Sequence, residues 1–581
     1  MNVAETLVSL LVQNGVTHVF GVAGDALNPF TDAIRRDGQI QWVGVHHEEN
    51  AAYAAYAQSA IRGGPSCCAG TVGPGSLHLI NGLYDAKREG FSSVIALTGQ
   101  LPHAERETKF FQAVDLKRIF GDVCAYQAII AEPEQMPRIA EIALQRAIAE
   151  QEVVRIELPA DVLPKPVPSR RFMHSLVKGS SPMVPAASEV RKAADIINAG
   201  KRITLFCGVG CRDARSQVME LAAKIGCPIA HTLRAKEIFD DDQDPIVGMT
   251  GLIGAPSGYH AVLECDVLVM LGTNFPYDEF LPADIPIIQV DREIENIGSR
   301  APVSLGIVGD VSETVRLLGP LLEPRPAGRW LSSLRTMRDK WLDHNSALSD
   351  PAREVSPILP PVVARIVSDH ASSDAIFVAD GGSATLYMAR YMRLHGERRV
   401  LSSFNHGAIG AGLGMAMGAS CADPKRQVWL LTGDGSFGMM PQDLITARVF
   451  GWPVKIIIFN NEEYDFVRME MEVAGIPVDP MATRVLNMDF RAFALANGVG
   501  YARAERPSDL VAAVKQAIAS DGPFLIDAKV QSGLLSMPPH VQGKQAFGFA
   551  ISKIKEGLLG LAGDHEQWTN LENEFRANLT D

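Results

Sequence analysis

Two short polar motifs, Gly433-Asp434-Gly435 and Asn460-Asn461, each end a run of branched apolar residues in this chain of 581 residues. VWLLTGDG (428–435) and VKIIIFNN (454–461) read as buried parallel strands, and PQDLITARVFGW between them reads as a helix. The unit is strand, turn, helix, parallel strand, so both motifs open on the same edge of one sheet. In open α/β sheets that carboxyl edge is where ligands bind. Asp434 and Asn461 can each give an oxygen to one ion there, with the backbone carbonyl of Glu463 as a third protein oxygen. Magnesium suits these donors, because it takes about six oxygens and shares them between one or two carboxylates and phosphates. Taken singly, each motif is also an ordinary turn, since Asp-Gly and Asn are common turn formers.

The elements that must position these residues follow from length and rhythm. A chain of 581 residues is too long for one core, and about three domains is the expectation. Two Pro-rich stretches, LPKPVPSRRF (163–172) and LLEPRPAGRW (321–330), read as linkers or strand-exit loops. They predict segments at 1–165, 183–330 and 350–535, with a tail at 536–581. Each of the three alternates short apolar runs with helical patterns, among them THVFGV, SSVIALTG, VVRIELP, RITLFCGVG, VLVMLGTNF, IPIIQVD and AIFVADGG. The expected fold class is α/β, three doubly wound parallel sheets.

Composition narrows the function. The formal charge of −13, with no basic cluster to offset it, argues against nucleic acid. Eight cysteines at 67, 68, 124, 207, 211, 227, 265 and 421 have neither zinc-ligand nor disulfide-framework spacing and read as reduced, buried thiols. The N-terminus lacks a basic n-region and its LVSLLV run is too short to span a bilayer. A cytoplasmic protein is expected.

GDG and NN spaced by one βα unit resemble the diphosphate-binding signature of thiamine diphosphate enzymes. HHEENAAYAA (46–55) resembles the same family's Glu separated by two residues from Ala-Ala. That likeness makes Glu48 the carboxyl that meets N1′ of the aminopyrimidine and favours the tautomer whose nitrogen takes the C2 proton. A solvated helix start is the plainer reading of HHEE, with Glu49 exposed and His46 and His47 in support. SFNHGAIGAGLGMAMGA (403–419) matches the segment whose bulky aliphatic residue, here Ile409, props the thiazolium. The layout, over nearly the whole chain, is similar to the pyruvate oxidase and acetolactate synthase family, and within it most to the flavin-containing, quinone-reducing pyruvate oxidases. VAGDALNPF, GPGSLHLINGLYDA, GMTGLIG, LGTNFPY and FVRMEME carry this likeness. It implies Gly24, Gly73 and Pro74 at the pyrimidine half and Gly433, Ser436 and Ser383 at the diphosphate. It also places Phe111 and Gln112 at the reacting centre, where a loop fragment is the plain alternative, and Phe466 and Glu470 facing substrate.

For the middle segment, the resemblance implies an FAD site at Gly208, Gly210, Arg234, Gly251, Thr273, Asn274 and Asp291. The implied activity is decarboxylation of pyruvate or a near 2-keto acid, with thiamine diphosphate, Mg²⁺ and FAD as cofactors and a quinone or oxygen as acceptor. Non-oxidative carboligation of the acetolactate synthase type is the alternative. Family members build each site from two chains, which implies a homodimer or homotetramer. Two departures stand out: Gly381, where relatives carry a branched residue, suggests room for a larger substrate, and NNEEYDF (460–466) is unusually acidic. Phe547, Ile551, Ile554, Leu558 and Leu561 form a helical stripe in the tail, which either packs on its own domain or makes peripheral contact at the inner face of a membrane.

Overall fold

The computed structural model describes residues 1–168, 181–240, 242–394 and 396–533. The tail stripe at 547–561 lies outside them. Three sheets of six parallel strands run in chain order, each covered by helices on both faces. The first contains β1 (His18–Gly21), β2 (Gln41–Gly44), β3 (Pro65–Gly70), β4 (Ser93–Gln100), β5 (Tyr126–Ile129) and β6 (Val153–Pro159), in spatial order 2-1-3-4-6-5. The second contains β7 (Ile203–Cys207), β8 (Ile229–His231), β9 (Ile246–Met249), β10 (Val267–Leu271), β11 (Ile287–Asp291) and β12 (Leu305–Val308), in order 12-11-10-7-8-9. The third contains β13 (Ile376–Ala379), β14 (Arg399–Leu401), β15 (Val428–Gly433), β16 (Lys455–Asn460), β17 (Gly500–Ala504) and β18 (Phe524–Lys529), in order 14-13-15-16-18-17. In each sheet the chain changes winding direction about one central strand pair, leaving a crevice at the carboxyl edge, between β1 and β3, β7 and β10, and β13 and β15.

Local sequence accounts for the central strands. Lys455–Asn460 is buried at every position, as a strand covered on both faces requires. Its one cationic side chain survives there because Lys455 Nζ donates to the carbonyls of Ser520 at 2.6 Å and Gly522 at 2.9 Å. Several strands lack a run long enough to announce them, notably β9, β12 and β14, whereas CPIAHTL (227–233) announced the short β8. The second Pro-rich stretch was expected to be wholly loop, yet Arg329 and Trp330 begin a helix that runs to Leu348. Gly328 precedes its first turn, and the prolines that exclude helix lie upstream of it. All eight cysteines are free and buried. No helix among the described residues is long and apolar enough to cross a membrane.

The first and third sheets share one apolar core, built around the helices Glu48–Arg62 and Gly412–Ala422. All three sheets' domains meet at Glu89, which is 3% exposed. Its carboxylate pairs with Arg234 from the loop after β8 at 3.1 Å and accepts the Asn405 backbone N–H, from the loop before Gly412, at 2.6 Å. Burial pushes this carboxyl up, and the Arg234 guanidinium opposes the shift. Glu89→Ala removes one partner of a buried pair and should destabilise the protein by about 3–5 kcal/mol. Urea midpoints of the two proteins test this, and equal midpoints would remove Glu89 from the list of structural anchors.

Candidate active site

At the first carboxyl edge, Glu48 is the first residue of its helix and only 6% exposed. His47 caps the helix, its side chain accepting the Glu49 N–H. The Glu48 carboxyl meets His78 Nδ1 at 2.8 Å, and the His78 ring stacks on His47 with centroids 4.4 Å apart. Glu49, expected to be exposed, is half-buried because its carboxylate accepts from Tyr53 Oη at 3.1 Å and Asn81 Nδ2 at 2.7 Å.

Glycines let backbone crowd around Glu48. A Cβ on Gly75 would stand 2.8 Å from Glu48 Oε1, and one on Gly24 would overlap the Thr71 side chain. Gly73 has φ +63° and faces the Gln112 carbonyl, so the turn before Pro74 and the 110–112 segment pack together. Gln112 is itself left-handed at φ 62°, while Phe111 is 76% exposed. Glu48, Gly24, Gly73, Pro74 and the Gln112 backbone therefore form one neighbourhood, with the Phe111 side chain projecting from it. The Thr71 hydroxyl is buried there without a hydrogen-bond partner, an orphan that suits a polar ligand.

At the third edge, the helix Asp434–Met439 begins at the aspartate itself, with no separate turn after β15. Asp434 is 2% exposed, and Oδ2 accepts from the Glu462 N–H at 2.7 Å and Asn487 Nδ2 at 2.8 Å. Burial raises this carboxyl, against hydrogen bonds from Asn487, Glu462 and Gly435. Asn461 follows the adjacent parallel strand, its Oδ1 accepting the Glu463 N–H at 3.2 Å. A buried carboxylate and an amide oxygen on neighbouring strand ends are hard donors with lone pairs to spare, so this set fits a hard divalent cation. A Cβ on Gly381 would stand 2.7 Å from the Ala408 carbonyl and 3.0 Å from Ile409 Cγ2. The space beside Gly381 is thus filled by the loop that carries Ile409, which corrects the expectation of a vacated wall and a larger substrate. Gly382 at φ +96° precedes Ser383, the first residue of its helix, and Ser436 Oγ reaches the Gly381 carbonyl at 3.5 Å.

The acidity of NNEEYDF is absorbed within the fold. Glu462 pairs with Lys529 at 2.6 Å, and Glu463 bonds Thr483 and Ser532 and lies 3.6 Å from Arg468. Phe466 is half-buried against the third domain's core, and Glu470, a turn further on, is exposed.

In the middle sheet, Gly208, Thr273 and Asp291 lie at the carboxyl ends of β7, β10 and β11. The loops meet at the crevice: a Cβ on Gly210 would stand 2.8 Å from Gly272 Cα, and Gly251 has φ +102°. Asn274 donates to Asn296 at 2.8 Å, and Asp291 accepts from Glu293 N and Asn296 Nδ2. The glycines and the partnerless buried hydroxyl of Thr250 fit a dinucleotide's pyrophosphate and ribose. Arg234, in the loop after the neighbouring β8, is paired with Glu89.

Four residues escaped the sequence reading: His78, Asp380, Asn487 and Asp443. Asp380, fully buried, accepts from Gly381 N, Gly410 N and Thr432 Oγ1 at 2.9–3.0 Å and so ties β13, the Ile409 loop and β15 together. Burial pushes it up to about 6, against those same bonds. Its place in AIFVADGG, between a strand and a Gly pair, was the available signal. His78 lay within a quoted stretch, but its link to Glu48 needs the fold.

Sequence profiles of thiamine pyrophosphate enzymes match all three parts of the chain: the N-terminal TPP binding domain at 1–119, the central domain at 190–318 and the C-terminal TPP binding domain at 380–528. A Bacillus subtilis (strain 168) protein named as thiamine pyrophosphate-containing, YdaP, is 32% identical over 94% of each chain. The pyruvate oxidase of Lactiplantibacillus plantarum is 28% identical, covering 90% of this chain and 88% of its own. The acetolactate synthase of Mycobacterium bovis is 30% identical, covering 90% and 87%.

Two expectations follow. Asp434→Ala removes a charged oxygen and should weaken Mg²⁺-dependent thiamine diphosphate binding by orders of magnitude, which a fluorescence titration reads and native affinity would refute. The second concerns Asp85, fully buried near Glu89. Burial first, then the charge of Glu89, pushes its carboxyl up to about 8, with the Ser403 hydroxyl opposing. Folding then takes up a proton between about pH 4, where a free Asp ionises, and pH 8. Stability from this group is present at low pH and lost as pH rises through that window, by up to about 1.4 kcal/mol per unit. Asp85→Asn should flatten the slope of urea stability between pH 5 and 8 relative to the parent; parallel curves would count against it.

Proposed function

The chain belongs to the thiamine pyrophosphate enzymes, and on that premise we propose that it decarboxylates pyruvate or a near 2-keto acid oxidatively, passing two electrons to FAD and then to a quinone or oxygen. The observation that carries the reading is the placing of Asp434 and Asn461 on adjacent parallel strand ends, with Glu48 buried at the crevice of a separate sheet. Thiamine diphosphate, when bound, supplies the carbon nucleophile and the electron sink for the 2-keto acid.

The protein's part is positional and protonic. Asp434, Asn461 and the Glu463 carbonyl would hold Mg²⁺; Ser383, Gly433 and Ser436 would present hydroxyl and backbone groups to the diphosphate. Ile409, 36% exposed, supplies the apolar prop. Glu48 holds and releases a proton at its carboxyl, and His78 at 2.8 Å fixes that carboxyl's orientation. Gln112 and Phe111 close the reacting centre, with Phe466 and Glu470 on the substrate side. The exposure of Phe110 and Phe111, at 47% and 76%, supports a second copy covering this edge, so a homodimer or a tetramer is the working assembly.

The flavin step rests on the middle-sheet crevice of Gly208, Gly210, Gly251, Thr273, Asn274 and Asp291. A non-oxidative carboligase of the acetolactate synthase type is the second reading, favoured by relatives of that name at 30% identity against 28% for a pyruvate oxidase. One assay separates them. Anaerobic pyruvate should bleach the FAD-loaded protein, and turnover should require ferricyanide or a quinone. Protein that binds no FAD, or acetolactate formed without an acceptor, would overturn the oxidative reading.

A further inference from the structure

Asp443 belongs to the third domain, at the end of the short 3-10 turn Pro441–Asp443 that follows the Asp434–Met439 helix, yet its partners are mostly in the first. It is fully buried, and its carboxylate accepts from the His46 backbone N–H at 2.8 Å, Asn50 Nδ2 at 2.7 Å and Thr446 Oγ1 at 2.8 Å. His46 Nδ1 lies 3.2 Å from the same oxygen as its own N–H. His46 and Asn50 flank Glu48 by two residues on either side, one before the helix and one in its first turn. Both ends of the turn that carries Glu48 are thus fastened to one carboxylate from another domain.

The arrangement is costly unless it has a use. A buried carboxylate needs several donors, and charge-assisted bonds to backbone and amide N–H groups are among the stronger and more directional ones. Here those donors are drawn from the segment where a small rotation would swing Glu48 away from His78 and Gly75. Asn50 Oδ1, meanwhile, has no hydrogen-bond partner, so Asn50 is oriented by its donor end alone.

We propose that Asp443 is a positioning residue for Glu48, fixing the first turn of the Glu48–Arg62 helix so that the carboxyl points into the cofactor crevice. The proposal rests on the thiamine diphosphate reading of Glu48. A general acid–base group held off its line loses rate while the bound ligand keeps its affinity, because the diphosphate and metal contacts lie elsewhere.

The test uses the full-length protein loaded with thiamine diphosphate and Mg²⁺, comparing the parent with Asp443→Ala, Asp443→Asn, Asn50→Ala and Glu48→Gln. C2 proton exchange of the bound cofactor is followed by NMR after acid quench, cofactor affinity by fluorescence titration, and backbone amide exchange of residues 45–52 by mass spectrometry. Glu48→Gln should slow C2 exchange by about 10²–10⁴. Asp443→Ala should slow it about tenfold or more, speed amide exchange across 45–52 and shift cofactor affinity by less than about threefold, as expected for a group that orients and does not bind. Asn50→Ala should follow in the same direction. Asp443→Asn should recover most of the rate, since its amide oxygen can accept from His46 N and its amide nitrogen can donate to Asn50 Oδ1 once the Asn50 amide turns over. Slow exchange in Glu48→Gln with parental exchange in both Asp443→Ala and Asn50→Ala overturns the positioning role alone. Parental exchange in Glu48→Gln overturns the reading of Glu48 and the proposal with it. Where Asp443→Ala does not fold, Asn50→Ala decides the matter by the same two readouts.

Discussion

Close backbone contact between two small-residue helices is the constraint on which the rest of the molecule depends. Along Glu48–Arg62 and Gly412–Ala422, a Cβ on Gly414 would stand 2.8 Å from Tyr53 Cβ, and one on Gly418 would overlap the Ala54 carbonyl. Only glycine permits that approach, and the alanines of the facing helix keep the contact tight along its length. Gly412–Ala422 is apolar and buried nearly all round, as a helix at the centre of a shared core must be. Because the first helix starts with Glu48 and the second follows directly from the Ile409 loop, locking them together fixes two candidate site elements relative to each other.

Buried polar groups then set angles that apolar packing leaves free. Hydrophobic contact is non-directional, so it cannot by itself choose the rotation of a helix start. Asp443 across the first and third domains, Asp380 within the third and Glu89 across all three each collect donors from separate segments. Every one of them sits near a carboxyl edge. The strand order puts crevices at those edges, and the carboxylates fasten the loops that line them.

Much of the fold was legible because parallel strands covered on both faces must be continuous apolar runs, and the long ones were. β15 and β16 were placed from their sequences alone, along with the motifs that end them. Edge strands such as β12 and β14 were not, because three or four residues with mixed burial carry no period to read. The same division holds for the candidate site. Asp434, Asn461 and Glu48 belong to local patterns whose spacing survives in the chain. Asp443 reaches His46 and Asn50 across nearly 400 residues, with |i−j| of 397 and 393, and nothing in its neighbourhood distinguishes it from a helix-start aspartate. Gly381 misled for a related reason: a missing side chain signals space only when no backbone moves in, and here the Ala408 carbonyl does.

Electrostatics completes the picture. A net charge of −13 would repel a small anionic substrate if the acidic groups faced the crevices. Around the candidate metal loop most of them are paired within the fold. Glu462 is bound by Lys529, Glu463 is held by Thr483 and Ser532 near Arg468, and Glu472 pairs with Arg468 at 2.8 Å. Such internal pairing cancels the field over a few ångströms, while what remains at the surface is screened within about 8–10 Å at physiological salt. The field at the third edge is therefore set by the buried Asp434, which attracts a cation, and by that cation's own charge once bound. The local field at that edge is thus decided by one buried carboxylate and the charge it can attract, and not by the composition of the whole.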